Sequence, residues 1–299
     1  MDRTGVWVPP LSTIEDVGGT GPLADLHMHS TASDGSLPPE QVVARAAAAG
    51  LAAVALTDHD TVSGVPAAIA AGAALGIRVV SGCEFSVLAP WGEMHVLAYF
   101  LPAGAPELDE FLARCRLDRN RRGMEMVRLL QQLGVAIDEE SVLAQSAGGA
   151  LGRPHVARAL RKAGVVRTLD EAFDKYLGRG RPAFVDKALP TFTSVASLVH
   201  RLGGIVSAAH LKDRGNRTTL VRLRADGLDA VETRHPSHDG ETRARLTDLA
   251  LSLGLGRSGG SDWHGEAEDG WNHGALGSQQ VPLEWLDQLE NLRPAVMRG

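Results

Sequence analysis

The sequence predicts an α/β fold, a barrel of the (β/α)7 type that carries an inserted helical subdomain. Short apolar runs rich in Val, Ile, Leu and Ala alternate with helical segments, and the alternation is interrupted between residues 100 and 204. Alternating βα units place their strands side by side in a parallel sheet, and seven strands approach the eight of a closed barrel. The candidate strands span 23–29, 51–57, 77–84, 94–99, 205–209, 228–232 and 253–258.

The helical segments are recognisable by the residues at their ends. The segment 38–50, PPEQVVARAAAAG, has proline near its start and Gly50 just past its end, the usual asymmetry of a helix. Two further helices are predicted at 105–134 and 153–164, inside the interruption. We therefore expect an N-terminal extension at 1–22, a barrel formed by 23–100 and 191–299, and an inserted helical subdomain at 101–190 that caps the substrate site.

Composition narrows the class of protein. The chain has 299 residues, of which 44% are hydrophobic, and no run of about 18 apolar residues that would span a bilayer. The first 22 residues lack the apolar core of a signal peptide, and two cysteines exclude a disulfide framework. These features predict a cytoplasmic protein with no membrane association.

Positive charge is concentrated in the predicted insert. The net charge of the chain is −6, yet residues 101–190 hold 15 of the 30 Lys and Arg residues against 12 acids, a local excess of +3. The stretch 112–128 alone carries six arginines and two acids. Two interpretations remain open, a solvated helix face and a surface for a polyanionic substrate.

Histidines and carboxylates stand at the ends of the predicted strands. His27 and His29 alternate on the first strand, so both project to the same face, and Asp262 and His264 repeat this spacing after the last one. Active sites of barrels lie at the carboxyl ends of the strands. Further residues of this kind lie at or beside the strand ends, namely His59, Glu84, His95, His210, Glu232 and His235.

This concentration of donors predicts a metal site. Six histidines and three carboxylates in one barrel mouth would repel each other or stay unsatisfied unless divalent cations coordinate them. At about four to six ligands per ion, nine ligands suit two or three ions, and the absence of cysteine suits Mn, Fe or Zn. Two ions about 3.5–4 Å apart would hold a bridging hydroxide as nucleophile, which indicates metal-assisted hydrolysis.

The order of the motifs resembles the PHP (polymerase and histidinol phosphatase) family of metal-dependent phosphoesterases. DLHMHSTASDG, TDHDT, GCEF, HVLAY, AAH and GSDWH follow one another across residues 24–100 and 204–265. The resemblance implies a distorted (β/α)7 barrel of PHP type and a trinuclear centre, with Mn as the first expectation. It assigns nine ligands: His27, His29, Asp34, His59, Glu84, His95, His210, Asp262 and His264.

The insert resembles one branch of that family, whose members remove the 3′-phosphate from 3′,5′-nucleotide bisphosphates and in some cases trim RNA from its 5′ end. The shared motifs are GRPHVARAL at 152–160 and YLGRGRPAFV at 176–185. The resemblance implies that Arg153, His155, Arg179 and Arg181 face the substrate. From the residues alone, the arginines of GRGR either bind phosphate or form an ordinary basic turn.

The expected function is therefore hydrolysis of a 3′,5′-nucleotide bisphosphate by attack of the metal-bridging hydroxide, while the arginines clamp the second phosphate. The alternatives are a 5′–3′ exoribonuclease acting on short 5′-phosphorylated RNA, a histidinol-phosphate phosphatase, and a freestanding accessory protein-binding domain. No obligate protein partner is expected.

Three further residues have roles that the sequence leaves open. His235 is a candidate acid, a phosphate contact or a structural residue, and Asp25 and Asp60 either orient ligand imidazoles or make only local hydrogen bonds.

Overall fold

The computed structural model describes residues 21–146, 151–266 and 274–294. All seven predicted strands are present, and most of the predicted extension 1–22 lies outside the described residues. An eighth strand of two residues was not predicted, since a pattern so short carries no periodicity. The strands are β1 Leu23–Asp25, β2 Ala53–Leu56, β3 Arg78–Ala89, β4 Gly92–Tyr99, β5 Ile205–Ala208, β6 Ala230–Arg234, β7 Gly256–Gly259 and β8 Val281–Pro282.

The strands form one curved sheet in the order β7-β6-β5-β4-β3-β2-β1-β8. The sheet nearly closes into a barrel, because the chain after β1 runs beside the end of β7. Leu26 N donates to the carbonyl of Gly259 at 3.1 Å, and Asp262 N donates to the carbonyl of His27 at 2.8 Å. The first and last motifs of the sequence are therefore neighbours, and the predicted α/β barrel is confirmed.

The sheet was predicted to be parallel, and it is mixed. β3 and β4 form an antiparallel hairpin, with Ala89 opposite Gly92 and Ser86 opposite His95, and β4 also pairs antiparallel with β5. Only two residues connect β3 to β4, and a parallel crossover needs a dozen or more. Because β4 runs in the reverse direction, His95 lies in its first half and still reaches the barrel end where the other strands finish.

Ten α-helices are described. Five pack around the barrel: α1 Pro39–Ala48, α2 Val65–Leu75, α7 Phe192–Arg201, α8 Arg217–Ala225 and α9 Gly240–Ser252. α10, Leu283–Glu290, lies against β1, β7 and β8. The others belong to the predicted insert: α3 Pro106–Gln132, α4 Glu139–Ser146, α5 Arg153–Lys162 and α6 Leu169–Ala172, which continues into a π-helical turn at Phe173–Leu177.

The insert has a hydrophobic core of its own. Met126 and Leu130 of α3 pack there with Val142 of α4 and with Val156 and Leu160 of α5, in a cluster separate from those of the barrel. The apolar residues of α3 recur at helical spacing, which is why this long helix is amphipathic. A separate core supports a distinct helical subdomain within the proposed insert 101–190, while Leu108 and Leu112 at the start of α3 pack in the core of the barrel.

Candidate metal centre

The carboxylate of Glu84 lies at the middle of the candidate site. It belongs to β3 and is 1% exposed. Its oxygens approach ring nitrogens of five histidines. Oε2 is 3.4 Å from His27 Nε2, 3.3 Å from His29 Nε2 and 3.0 Å from His59 Nδ1, and Oε1 is 2.8 Å from His95 Nδ1 and 3.1 Å from His210 Nε2.

Among the described residues, four groups of donors could hold a metal ion, and the fourth consists of His27, Glu232 and His235. The other three contain only predicted ligands. In each group one donor atom per residue lies within 4.8 Å of the others. The first is His27, His29, Glu84 and Asp262, the second His29, Asp34, His59 and His264, and the third His59, Glu84 and His95. His210 adjoins the third group through Glu84. The structure thus brings all nine predicted residues together, with His29, His59 and Glu84 shared between groups.

Several of these donors are buried without a hydrogen-bond partner. Among the described residues they include His27 Nε2, His59 Nδ1, Glu84 Oε2, Asp34 Oδ1 and both ring nitrogens of His29. Leaving buried polar atoms unpaired costs free energy. Nitrogen and oxygen donors converging from several sides are what a divalent transition metal requires. The arrangement therefore fits bound divalent metal ions.

Both central carboxylates are held ionised. Burial alone would raise the pKa of Glu84, but His59, His95 and His27 outweigh it and keep that pKa well below its usual range. Burial likewise opposes ionisation of Asp34, and His59 and His264 lower its pKa well below the usual range. Deprotonated carboxylates are the form that binds cations.

Glu232, in the middle of β6, orients two of the candidate ligands. Its Oε1 lies 2.9 Å from His27 Nδ1, and its Oε2 accepts a hydrogen bond from the backbone N–H of His210 at 2.7 Å. The contact leaves His27 Nε2 directed at Glu84 and Asp262. Glu232 was predicted at a strand end and not among the nine ligands, and its hydrogen bonds support two of them.

Asp25 and Asp60 do not contact ligand imidazoles. Asp25 accepts hydrogen bonds from the backbone N–H groups of Ser261 and Gly277, each at 2.9 Å, and so supports the turn before Asp262. Asp60 accepts from Arg119 Nε at 2.6 Å. Of the two alternatives left open for these residues, the structure excludes direct orientation of the imidazoles.

His235 lies behind the candidate ligands. Its Nδ1 accepts the backbone N–H of Ser237 at 3.0 Å, and its Nε2 is 3.3 Å from Asp262 Oδ2. The ring is largely buried and is not part of the cavity wall. Its contact is with a candidate ligand, so the ring is not positioned to donate a proton directly to a substrate in this cavity.

A cavity of about 230 Å³ lies over the candidate metal centre. Its opposite wall comes from the insert and is cationic. Arg119 and Arg122 lie three residues apart on one face of α3, Arg153 begins α5, and Lys187 follows α6. Burial, together with Arg119, lowers the pKa of Lys187 to about 8, so Lys187 is still charged at neutral pH.

The four predicted substrate residues have different positions. Arg153 lines this cavity and a second one beside it, whose wall includes Arg179. Arg181 is exposed outside both cavities. His155 is 1% exposed, and its Nδ1 accepts the backbone N–H of Gly152 at 2.9 Å. Its ring therefore stabilises the first turn of α5, and the expectation that it faces the substrate is corrected.

Three cations of the wall were absent from that predicted set. The arginine-rich run 112–128 contained the signal for Arg119 and Arg122, and helical periodicity explains why these two of its six arginines turn inward. Lys187 belongs to none of the motifs found in the sequence, and no residue spacing around it predicts that it faces the cavity.

A barrel whose mouth gathers nine histidine and carboxylate donors beneath a cationic wall defines the class of metal-dependent hydrolases that act on phosphate esters. The model of the PHP domain matches residues 25–178. The chain belongs to the PHP family and is a metal-dependent phosphoesterase. Within the described residues, no helix combines the length and apolar character needed to cross a lipid bilayer.

Relatives with assigned activities differ in substrate. A 5′-3′ exoribonuclease of Haemophilus influenzae is 33% identical over 80% of this chain and 89% of its own length. A 3′,5′-nucleoside bisphosphate phosphatase of Chromobacterium violaceum is also 33% identical, over 82% of this chain and 88% of its own. The crystal structure of a provisionally named metal-dependent phosphoesterase from Bifidobacterium adolescentis covers 93% of this chain and 99% of its own, with a TM-score of 0.84 and 31% identity.

Proposed function

We propose that the protein is a phosphatase that removes the 3′-phosphate from 3′,5′-nucleotide bisphosphates. The observation that carries the proposal is the single cavity that joins the candidate metal centre to a wall of four cations. A substrate with two phosphates suits such a cavity, because one phosphate can react while the other is held.

Each side of the cavity has a part in this proposal. The nine donors, with Glu84 at their centre, would hold two or three divalent ions, with manganese as the proposed metal and iron or zinc as alternatives. Bound ions of this kind lower the pKa of coordinated water and stabilise negative charge on phosphoryl oxygens. Arg122 and Arg153 bind the second phosphate in this proposal, because their guanidinium groups match the geometry of phosphate oxygens.

Arg119 is proposed to contact the reacting phosphate. It is 6% exposed, reaches the cavity from α3, and is fixed by its ion pair with Asp60 in the loop that carries His59. Its Nη2 has no hydrogen-bond partner among the described residues. A guanidinium held rigidly beside the ions would add stabilisation of the developing charge without reorganisation.

A 5′–3′ exoribonuclease activity is the second candidate. It is favoured by the equal identity to a relative with that name and by exposed arginines on α3, including Arg114 and Arg121. A 5′-phosphorylated RNA end presents the same held phosphate as a bisphosphate does. Histidinol phosphate ranks lower, because its ammonium group would meet the cationic wall.

The test is phosphate release from a panel of substrates together with elemental analysis of the purified protein. The panel contains adenosine 3′,5′-bisphosphate, adenosine 3′-monophosphate, histidinol phosphate and a short 5′-phosphorylated RNA, the last scored by released mononucleotides. We expect the bisphosphate to give the highest kcat/KM, with at least two divalent ions per chain. Preference for the monophosphate, or turnover without bound metal, would refute the proposal.

A further inference from the structure

A second cavity, of about 320 Å³, lies beside the one over the candidate metal centre. It is formed by the tip of the β3–β4 hairpin and by residues 179–189, which follow the π-helical turn. Arg122, Arg153 and Lys187 line both cavities, so the two adjoin across a shared cationic boundary. The proposed function uses this boundary but not the remainder of the second cavity.

The remainder of its wall differs in chemistry from the first cavity. Leu88, Phe184 and Leu189 contribute apolar surface, and Leu88 is 50% exposed although it stands in a strand otherwise largely buried. Gly92, with φ +110°, leaves part of the wall without a side chain. Apolar side chains do not contribute to the binding of a phosphate, whereas pockets for organic ligands combine apolar walls with a few polar groups.

We propose that the second cavity binds the nucleobase of the substrate whose phosphates occupy the first, an inference that rests on the proposed function. The ring of Phe184 offers a surface for stacking, which any base can use because every base has a π face. Asp186 also lines the cavity and can accept a hydrogen bond from a base N–H group. Arg179 supplies a planar guanidinium that can stack on a base.

Arg153 connects the two cavities. Its guanidinium lies 5.8 Å from the ring centre of Phe184 in the second cavity and 5.8 Å from that of Phe173 in the first. Phe184 could therefore influence the substrate in two ways, by stacking on a base or by holding the arginine that binds phosphate. The two ways predict different responses to a substrate that has both phosphates but no base.

The experiment compares wild type and Phe184→Leu on adenosine 3′,5′-bisphosphate and on ribose 3,5-bisphosphate, which lacks the base. We expect KM for the adenosine compound to rise about tenfold in the variant, the scale of one stacking contact, with KM for the ribose compound unchanged. The matched control is Phe100→Leu, since Phe100 also has an arginine over its ring, Arg293 at 5.0 Å, and lies outside both cavities. Asp186→Asn is a second variant at an exposed position, with the same expected selectivity for the base-bearing substrate.

The outcomes separate this inference from the proposed function. Equal losses on both substrates would show that Phe184 acts through Arg153, and equal KM values for the two substrates in the wild type would show that the base is not bound. Either result overturns the base site and leaves the bisphosphatase intact. Failure of the wild type to hydrolyse either bisphosphate would overturn the proposed function itself.

Discussion

Glu93 accepts a hydrogen bond from His95 Nε2 at 3.1 Å, on the opposite side of the imidazole from Glu84, whose Oε1 is 2.8 Å from Nδ1. Glu93 and His95 are separated by one position on β4 and so lie on the same face of the strand. Glu93 also accepts a hydrogen bond from Lys187, near the end of the insert. A candidate metal ligand is thereby connected to the cationic wall through one carboxylate.

This contact predicts a metal-binding defect in Glu93→Gln. A neutral amide accepts a weaker hydrogen bond, so His95 would be less firmly oriented and a less basic ligand, and metal affinity should fall about tenfold or more. The measurement is metal content after dialysis against a graded series of chelator concentrations. Glu140→Gln, exposed on α4, is the control. Equal metal retention in the two variants would contradict the role given to Glu93.

Removal of metal should abolish turnover and lower thermal stability together. The buried donors around Glu84 lack hydrogen-bond partners that ions would replace, and any ligand that binds only the folded state stabilises it. We expect chelation to reduce phosphate release to background and to lower Tm, and added Mn²⁺ to restore both. His29→Ala should show the same loss of turnover with no rescue. A chelated protein that keeps its full rate would rule out the metal centre.

The extent to which the sequence predicted this site depends on how each residue is positioned. His27, His29, Asp262 and His264 could be placed together because barrel closure makes the segments that follow β1 and β7 neighbours, and Met28 pairs there with Trp263. Lys187 could not, since tertiary packing of the insert alone brings it to the cavity. His155 was predicted to face the substrate because it belongs to the motif GRPHVARAL. The same motif begins α5, and the ring of His155 accepts a hydrogen bond from Gly152 in the first turn of that helix.

The Asp60–Arg119 ion pair should stabilise the packing of α3 on the barrel. Both side chains are largely buried, and removing one partner of a buried pair costs about 3–5 kcal/mol because the other charge is left uncompensated. Asp60→Ala should therefore lower the free energy of unfolding by about 3 kcal/mol, and the double variant Asp60→Ala/Arg119→Met by less. Urea denaturation measures both.

An exposed ion pair provides the comparison for that result. Arg201 and Glu107 also join the insert to the barrel, but both side chains are more than half exposed. Glu107→Ala should cost at most about 1 kcal/mol. If Asp60→Ala were no more destabilising than Glu107→Ala, the buried pair would not be anchoring the insert.

His155 should make the protein sensitive to acid. Burial lowers its pKa to about 4, below the ordinary value of 6.5, and its neutral Nδ1 accepts the N–H of Gly152. Between these two values the unfolded chain binds more protons than the folded one, so stability is lost as pH falls from about 6.5 toward 4. By pH 5 the loss from this residue is about 2 kcal/mol. His155→Gln should remove it, because a glutamine at this helix position can accept the same backbone hydrogen bond without titrating. The measurement is the free energy of unfolding in urea at pH 7, 6 and 5, compared between wild type and variant.

His200→Gln is the control of opposite sign. The pKa of His200 is raised by its hydrogen bond to Asp229, so its contribution is present at low pH and is lost as pH rises. If wild type and His155→Gln lost stability in parallel between pH 7 and pH 5, His155 would not be the acid-sensitive group.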